Sequence, residues 1–168
     1  VLKAQELLSN LYGSDKSYIL TGGSTSAIQS MICAGVKPGG TLLSAGDCHM
    51  SVINTCALLR INLKLFPKEI DSSFSVPKGT GTLKEHLTDD IDAVIITSPN
   101  YYGICSDIKN TAEECHAKNI PLLVDEAHGA HFIANNLFPQ TAVKYADAVC
   151  QSAHKTLNAM NGSSYLHI

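Results

Sequence analysis

Short apolar runs separated by helical segments constrain this sequence more than any other feature. Residues 93–97 (Ala-Val-Ile-Ile-Thr) are apolar without alternation, the pattern of a strand covered on both faces in a parallel sheet. Residues 41–44, 62–66, 121–124 and 147–150 read as further strands, and 17–20 as a short one near the start. Helical segments lie between them: 1–11, 24–34 after Thr21-Gly22-Gly23, 48–60 with Asp47 as its N-cap, 82–87, and one from Asp107 to Lys118. Residues 67–81, rich in Ser, Gly, Pro and Lys, form the longest loop. Strand–helix–strand units of this spacing predict right-handed crossovers. They imply an α/β fold in which a mainly parallel sheet carries helices on both faces.

A chain of 168 residues with 45% hydrophobic and 16% charged residues is expected to bury one core and form one domain. Its net charge of −3 gives no footprint for nucleic acid or an anionic membrane surface. No apolar stretch approaches the roughly 20 residues needed to span a bilayer and no basic-then-apolar leader opens the chain, so a cytoplasmic protein is expected. The six cysteines (33, 48, 56, 105, 115 and 150) stand singly in apolar contexts and read as free thiols of a reducing compartment. Both ends look cut. Val1 begins inside an amphipathic pattern with no cap before it, and the last residues, Tyr165-Leu166-His167-Ile168, read as the start of a strand.

Three stretches carry chemistry. Lys155 follows the apolar run Ala148-Val149-Cys150, where ligands of open α/β sheets collect. Flanked by Ser152 and His154 rather than by other charges, it can act as an amine nucleophile towards a carbonyl cofactor; the alternative is a solvated lysine at a helix start. Gly22 and Gly23 turn the backbone into a helix whose free N–H groups make an anion site, to which the hydroxyls of Thr25 and Ser26 can add donors. The pattern matches neither a P-loop, nor a dinucleotide fingerprint, nor a nucleophile elbow. Asp125 ends the run Leu122-Leu123-Val124, and a buried acid there is costly unless paired. By position alone it can also be an N-cap for the following turn.

Taken together, Thr97-Ser-Pro-Asn-Tyr-Tyr-Gly103, Asp125-Glu-Ala-His-Gly-Ala-His131 and Gln151-Ser-Ala-His-Lys-Thr-Leu157 resemble the ornithine/lysine/arginine decarboxylase family, enzymes of the aspartate-aminotransferase fold that use pyridoxal 5'-phosphate. The resemblance covers nearly the whole chain, in the same order. It implies a cofactor-binding large domain over residues 1–168, incomplete, with an N-terminal segment and a small C-terminal domain absent. It also implies a homodimer or higher homo-oligomer whose site is completed by a second subunit. Lys155 would be the residue that bonds the cofactor aldehyde, made available as a free amine by burial and a nearby cation. Asp125 would hold the ring nitrogen, with Ala127 against one ring face and His49 stacked on the other. Thr25, Ser26 and Ser152 would hold the phosphate, while His128 and His154 would sit beside the ring oxygen and the phosphate or substrate. Two departures from the family pattern stand near His49: Asp47 replaces the usual asparagine and Met50 a common lysine. The reaction implied is decarboxylation of lysine, ornithine or arginine, with the departing carboxylate held perpendicular to the ring.

Other readings use the same residues. Asp-x-Ala-His followed by Ser-x-His-Lys also resembles α-oxoamine synthases and some aldolases and desulfurases, although residues 98–103 and 151–157 favour the decarboxylases. Asp125, His128 and His131 could instead serve a metal hydrolase, but no further ligand pair accompanies them, and no metal is expected. A relative that keeps the scaffold without turning over is the non-enzymatic reading.

Overall fold

The computed structural model describes residues 1–168. Seven strands form one sheet in the order β1-β7-β6-β5-β4-β2-β3. They are β1 (Ser17–Leu20), β2 (Thr41–Ala45), β3 (Asn62–Phe66), β4 (Ala93–Thr97), β5 (Leu122–Asp125), β6 (Ala148–Ser152) and β7 (Ser164–His167). The run from β3 through β2, β4 and β5 to β6 is parallel. β7 lies antiparallel to both β1 and β6.

Alternating side chains divide the core into two layers, because successive residues of a strand point to opposite faces. Leu42, Ile95 and Leu123 pack with Ile28, Met31 and Ile32 of α2 (Gly23–Gly35) and with Val52 and Cys56 of α3 (Met50–Leu59). Their sequence neighbours Leu43, Val94 and Leu122 pack on the other face against Ile108, Ala112 and Cys115 of α4 (Ile108–His116), and against Leu83 and Leu87. β2, β4 and β5 are buried on both faces, as their continuous apolar character requires. α1 (Leu2–Tyr12) is tied down by Tyr12, whose hydroxyl donates to the Ala130 carbonyl at 2.6 Å. The six cysteines are all free.

Three local expectations change. α3 is capped not by Asp47 but by His49, whose Nδ1 accepts from the Ser51 amide at 3.1 Å. The Asp47 carboxylate is drawn to Lys68 instead, at 2.9 Å. Residues 82–87 make a single turn rather than a helix. The Glu114 carboxylate takes the Leu83 amide at 2.6 Å and the Thr82 hydroxyl at 2.8 Å, so the segment is fastened to α4 instead of propagating. The end of the chain is a strand as expected, but as the antiparallel β7 it is set between two earlier strands. Residues 67–81 form a loop closed by one bridge between Ile70 and Pro77.

Candidate active site

The carboxyl ends of the parallel strands surround a cavity of about 280 Å³. Thr97 ends β4, Asp125 ends β5, and Lys155 stands on α5 (Ala153–Thr156), the single turn that follows β6. These three side chains line the cavity together with His49, His128 and Ser24. Asp47, Cys48, Met50, Tyr101 and Ala127 complete the wall. Two strand ends, one β2-to-α3 turn and one helix start thus meet, as adjacent parallel strands oblige them to.

Asp125 is buried at 3% exposure. Its Oδ1 accepts from the Ala127 amide at 3.1 Å and from the Cys150 thiol at 3.3 Å. The carboxylate therefore both closes the turn after β5 and forms part of the cavity wall. His49 is exposed, with Nδ1 held by the Ser51 amide and, at 2.8 Å, paired with the Ser51 hydroxyl. His128 has its Nδ1 buried without a partner. Burial lowers its pKa and the Lys155 charge adds to the effect, so the ring is neutral at pH 7 and serves as a hydrogen-bonding group rather than a cation.

Lys155 is exposed, so these residues do not supply the burial expected of it. Ser152, three positions earlier, is fully buried and its hydroxyl has no partner. Of the hydroxyls at the start of α2, Ser24 faces the cavity. Thr25 is exposed and lies outside its wall. Ser26 donates to the Gly23 carbonyl at 2.8 Å and faces a separate hollow between α2 and α3. The first turn of α2 has no side-chain cap; the Gly23 amide donates to the Gly162 carbonyl at 2.8 Å, and the amides of Ser24, Thr25 and Ser26 lack an intrahelical partner, as first-turn amides do. His154 is also outside the wall, its Nδ1 bonded to the Ser163 carbonyl at 2.9 Å. His131 packs against Phe132 and Phe138, and no three His, Cys, Asp or Glu side chains come together as metal ligands. The motifs pointed past Ser24, Thr97 and Tyr101 to their neighbours. The strand-end rule marks Thr97 as the last residue of β4, whereas which serine of 24–26 faces inward depends on helix phase.

A family model described as the Orn/Lys/Arg decarboxylase major domain matches residues 1–168. The chain belongs to this family. It is 43% identical over its whole length to the uncharacterized protein YaaO of Bacillus subtilis, of which it spans 36%. It is 30% identical to an arginine decarboxylase of Halalkalibacterium halodurans, again over the whole chain and 35% of that protein. The chain thus spans about a third of the length of the curated relatives it matches. Among solved structures, the Francisella novicida lysine decarboxylase LdcF superposes with a TM-score of 0.81 at 22% identity, over 99% of this chain and 26% of that one. An N-succinyldiaminopimelate aminotransferase from Mycobacterium tuberculosis superposes with 0.77 at 18% identity, over 98% of this chain and 46% of that one. No helix is long and apolar enough to cross a membrane.

Proposed function

We propose that this chain is the cofactor-binding part of a pyridoxal 5'-phosphate-dependent decarboxylase, which converts lysine, ornithine or arginine into the corresponding amine and carbon dioxide. The observation that carries this reading is that Asp125, at the end of β5, and Lys155, on the turn after the adjacent β6, line one cavity. Groups facing separate cavities could not grip one small aromatic ring.

The residues present fit such a cofactor. The hydroxyl of Ser152 is buried without a partner, and the uncapped amides of Ser24, Thr25 and Ser26 at the start of α2 suit a phosphate. Ser152 and these amides would hold that group, while Asp125 would hold the ring nitrogen and His49 and Ala127 the two ring faces. When bound, pyridoxal 5'-phosphate supplies an aldehyde that condenses with amines and a protonated ring that takes up the electron pair left by departing carbon dioxide. Asp125 would favour the protonated form of a ring nitrogen bound against its carboxylate. Lys155 Nζ is the amine nucleophile and afterwards carries a proton at the cavity mouth. His128, neutral, offers a hydrogen bond to an oxygen without adding charge. The relatives extend well beyond this chain, so the substrate's basic end is proposed to be read by residues outside it, in a homodimeric or larger cytoplasmic enzyme.

The test is an absorption spectrum with added pyridoxal 5'-phosphate before and after borohydride, on the native sequence and on Lys155→Ala. A borohydride-stable adduct is expected only with Lys155 present, and an equal adduct in the variant would end the proposal. Likeness to an aminotransferase at a TM-score of 0.77 supports a second reading, amino-group transfer on the same scaffold. Carbon dioxide release without transfer of the amino group separates the two.

A further inference from the structure

Directly behind the cavity lies a buried row of polar side chains in which every proton points the same way. Glu126, 1% exposed, forms no ion pair but accepts three hydrogen bonds. Its Oε1 takes the Ala142 amide at 2.7 Å, and its Oε2 takes the Thr141 hydroxyl at 2.7 Å and the Gln151 side-chain amide at 2.6 Å. Because Gln151 spends its NH₂ on Glu126, its Oε1 faces His167 Nε2 at 3.2 Å, and that nitrogen must carry the hydrogen. Burial holds His167 neutral by lowering its pKa to about 4. Its Nδ1 is therefore an acceptor and takes the Ser17 hydroxyl at 2.7 Å. The Ser17 oxygen in turn accepts from Ser14 at 2.8 Å. From β1 across β7 and β6 to the end of β5, each group donates to the next, and with Glu126 ionised the row ends on an oxygen that only accepts; burial raises that carboxyl to about 7, so the one-way row is complete above that pH.

We propose that Glu126 is a positioning residue for the cavity: as the terminal acceptor of this one-way row, it fixes the end of β6, and with it Ser152 and Lys155, against Asp125. The role of Lys155 as cofactor anchor rests on the function proposed above. Two backbone bonds mark the same seam, from the Glu126 amide to the Cys150 carbonyl at 2.9 Å and from the Ser152 amide to the Ala127 carbonyl at 3.3 Å. Beyond it the chain has only the single turn of α5 to aim Lys155. Gly129 leaves the room for Glu126, since a Cβ there would stand 2.5 Å from the glutamate Cγ. An amide at 126 is not equivalent to a carboxylate: its NH₂ would have to face at least one group that is already donating, and polarised rows of this kind lose more than one bond when broken.

The experiment uses the full-length protein with wild-type sequence, Glu126→Gln, and the exchange Glu126→Gln/Gln151→Glu. The exchange restores a consistent direction. The amide brought to position 126 can donate to the carboxylate brought to position 151 and accept from Ala142, while His167 and Thr141 donate to that carboxylate. Two quantities are measured at pH 8, above the Glu126 titration, beside the melting temperature: the dissociation constant for pyridoxal 5'-phosphate, and amide hydrogen exchange over residues 151–157 in the cofactor-free protein. Glu126→Gln is expected to weaken cofactor binding at least tenfold and to speed exchange over 151–157 by a similar factor, and the double exchange to recover both to within threefold of wild type. Glu126→Gln within twofold of wild type in both, or a double exchange no better than the single change, overturns the proposal. If Glu126→Gln does not fold, Gln151→Leu cuts the same seam while leaving Glu126 its other two donors. A loss of at least fivefold is then expected, and unchanged binding and exchange overturn the proposal. A wild-type protein that forms no borohydride-stable adduct ends the functional reading instead, and the exchange measurement then decides the positioning role alone.

Discussion

Asp125 and Glu126 are consecutive carboxylates at the end of β5, and the strand turns them to opposite sides. Asp125 borders the cavity shared with Lys155, and its partners are the amide of Ala127 in its own turn and the thiol of Cys150 on the neighbouring β6. Glu126 borders a different hollow, beside Ser98 and Phe132, and is held by three strong donors from β6 and from the 3₁₀ turn at Ala142–Lys144. One acid shares a cavity with Lys155, while both oxygens of the other are taken up by protein donors. The period of two that separates the hydrophobic layers of the sheet also separates chemistry from its support.

The largest effect that tests this division is Asp125→Asn in the full-length protein. The amide oxygen can still accept from Ala127, so the melting temperature should move by only a few degrees. If the proposed decarboxylation is the reaction, it should fall by roughly 10³-fold or more, about 4 kcal/mol of barrier, as read by carbon dioxide release. An active Asp125→Asn enzyme would break the comparison.

On the buried side the measurable quantity is stability against pH. Burial raises the Glu126 carboxyl from 4.5 to about 7, so between those values the native state binds the extra proton. Its contribution falls by about 3 kcal/mol as pH rises through that range. His167 is lowered from 6.5 to about 4, so there the unfolded state binds the extra proton, and this contribution rises by about 3 kcal/mol from pH 4 to 6.5. The thiols of Cys105 and Cys150 and the Tyr12 hydroxyl, the other titratable groups near Glu126, all have raised pKa values and stay neutral across this window. The two slopes oppose each other, so urea midpoints of the wild type should change little between pH 4.5 and 6.5. Glu126→Gln should expose the rise and His167→Phe the decline, and parallel profiles for the two variants would disprove the assignment.

The smallest effect concerns the wall of the cavity. Lys68, its side chain 4% exposed, has Asp47 as its counter-charge. Asp47→Asn leaves a buried ammonium uncompensated and should cost about 2 kcal/mol, below the usual figure for a fully buried pair because Asp47 itself is partly exposed. Thermal unfolding should show Lys68→Met recovering most of that loss in the double variant.

The parallel centre of the fold was legible because β4 and β5 are apolar at every inward and outward position, and such runs have few other uses. Lys155, Asp125 and His128, which line one cavity, were legible because each stands at or just beyond a strand end within a motif, whereas His49 in the same wall was reached only through the family resemblance. What escaped depended on partners distant in sequence. Asp47 has the chemistry of a cap, but Lys68 claims it. Leu83 and Leu87 have helical spacing, but Glu114 of α4 holds the segment's amide and hydroxyl groups. Glu126 sat inside a recognised motif without a role, because its partners Thr141, Ala142 and Gln151 are gathered only by folding. The antiparallel placing of β7 was hidden too, since four residues reveal a strand but not its neighbours.

That placing has a consequence for biosynthesis. β1 has no neighbour in the sheet other than β7, and the Ser17–His167 bond spans 150 positions. A ribosome adding about 5–20 residues per second leaves β1 waiting on the order of ten seconds for its partner to be made. Until then the backbone groups that β7 will satisfy have no strand partner.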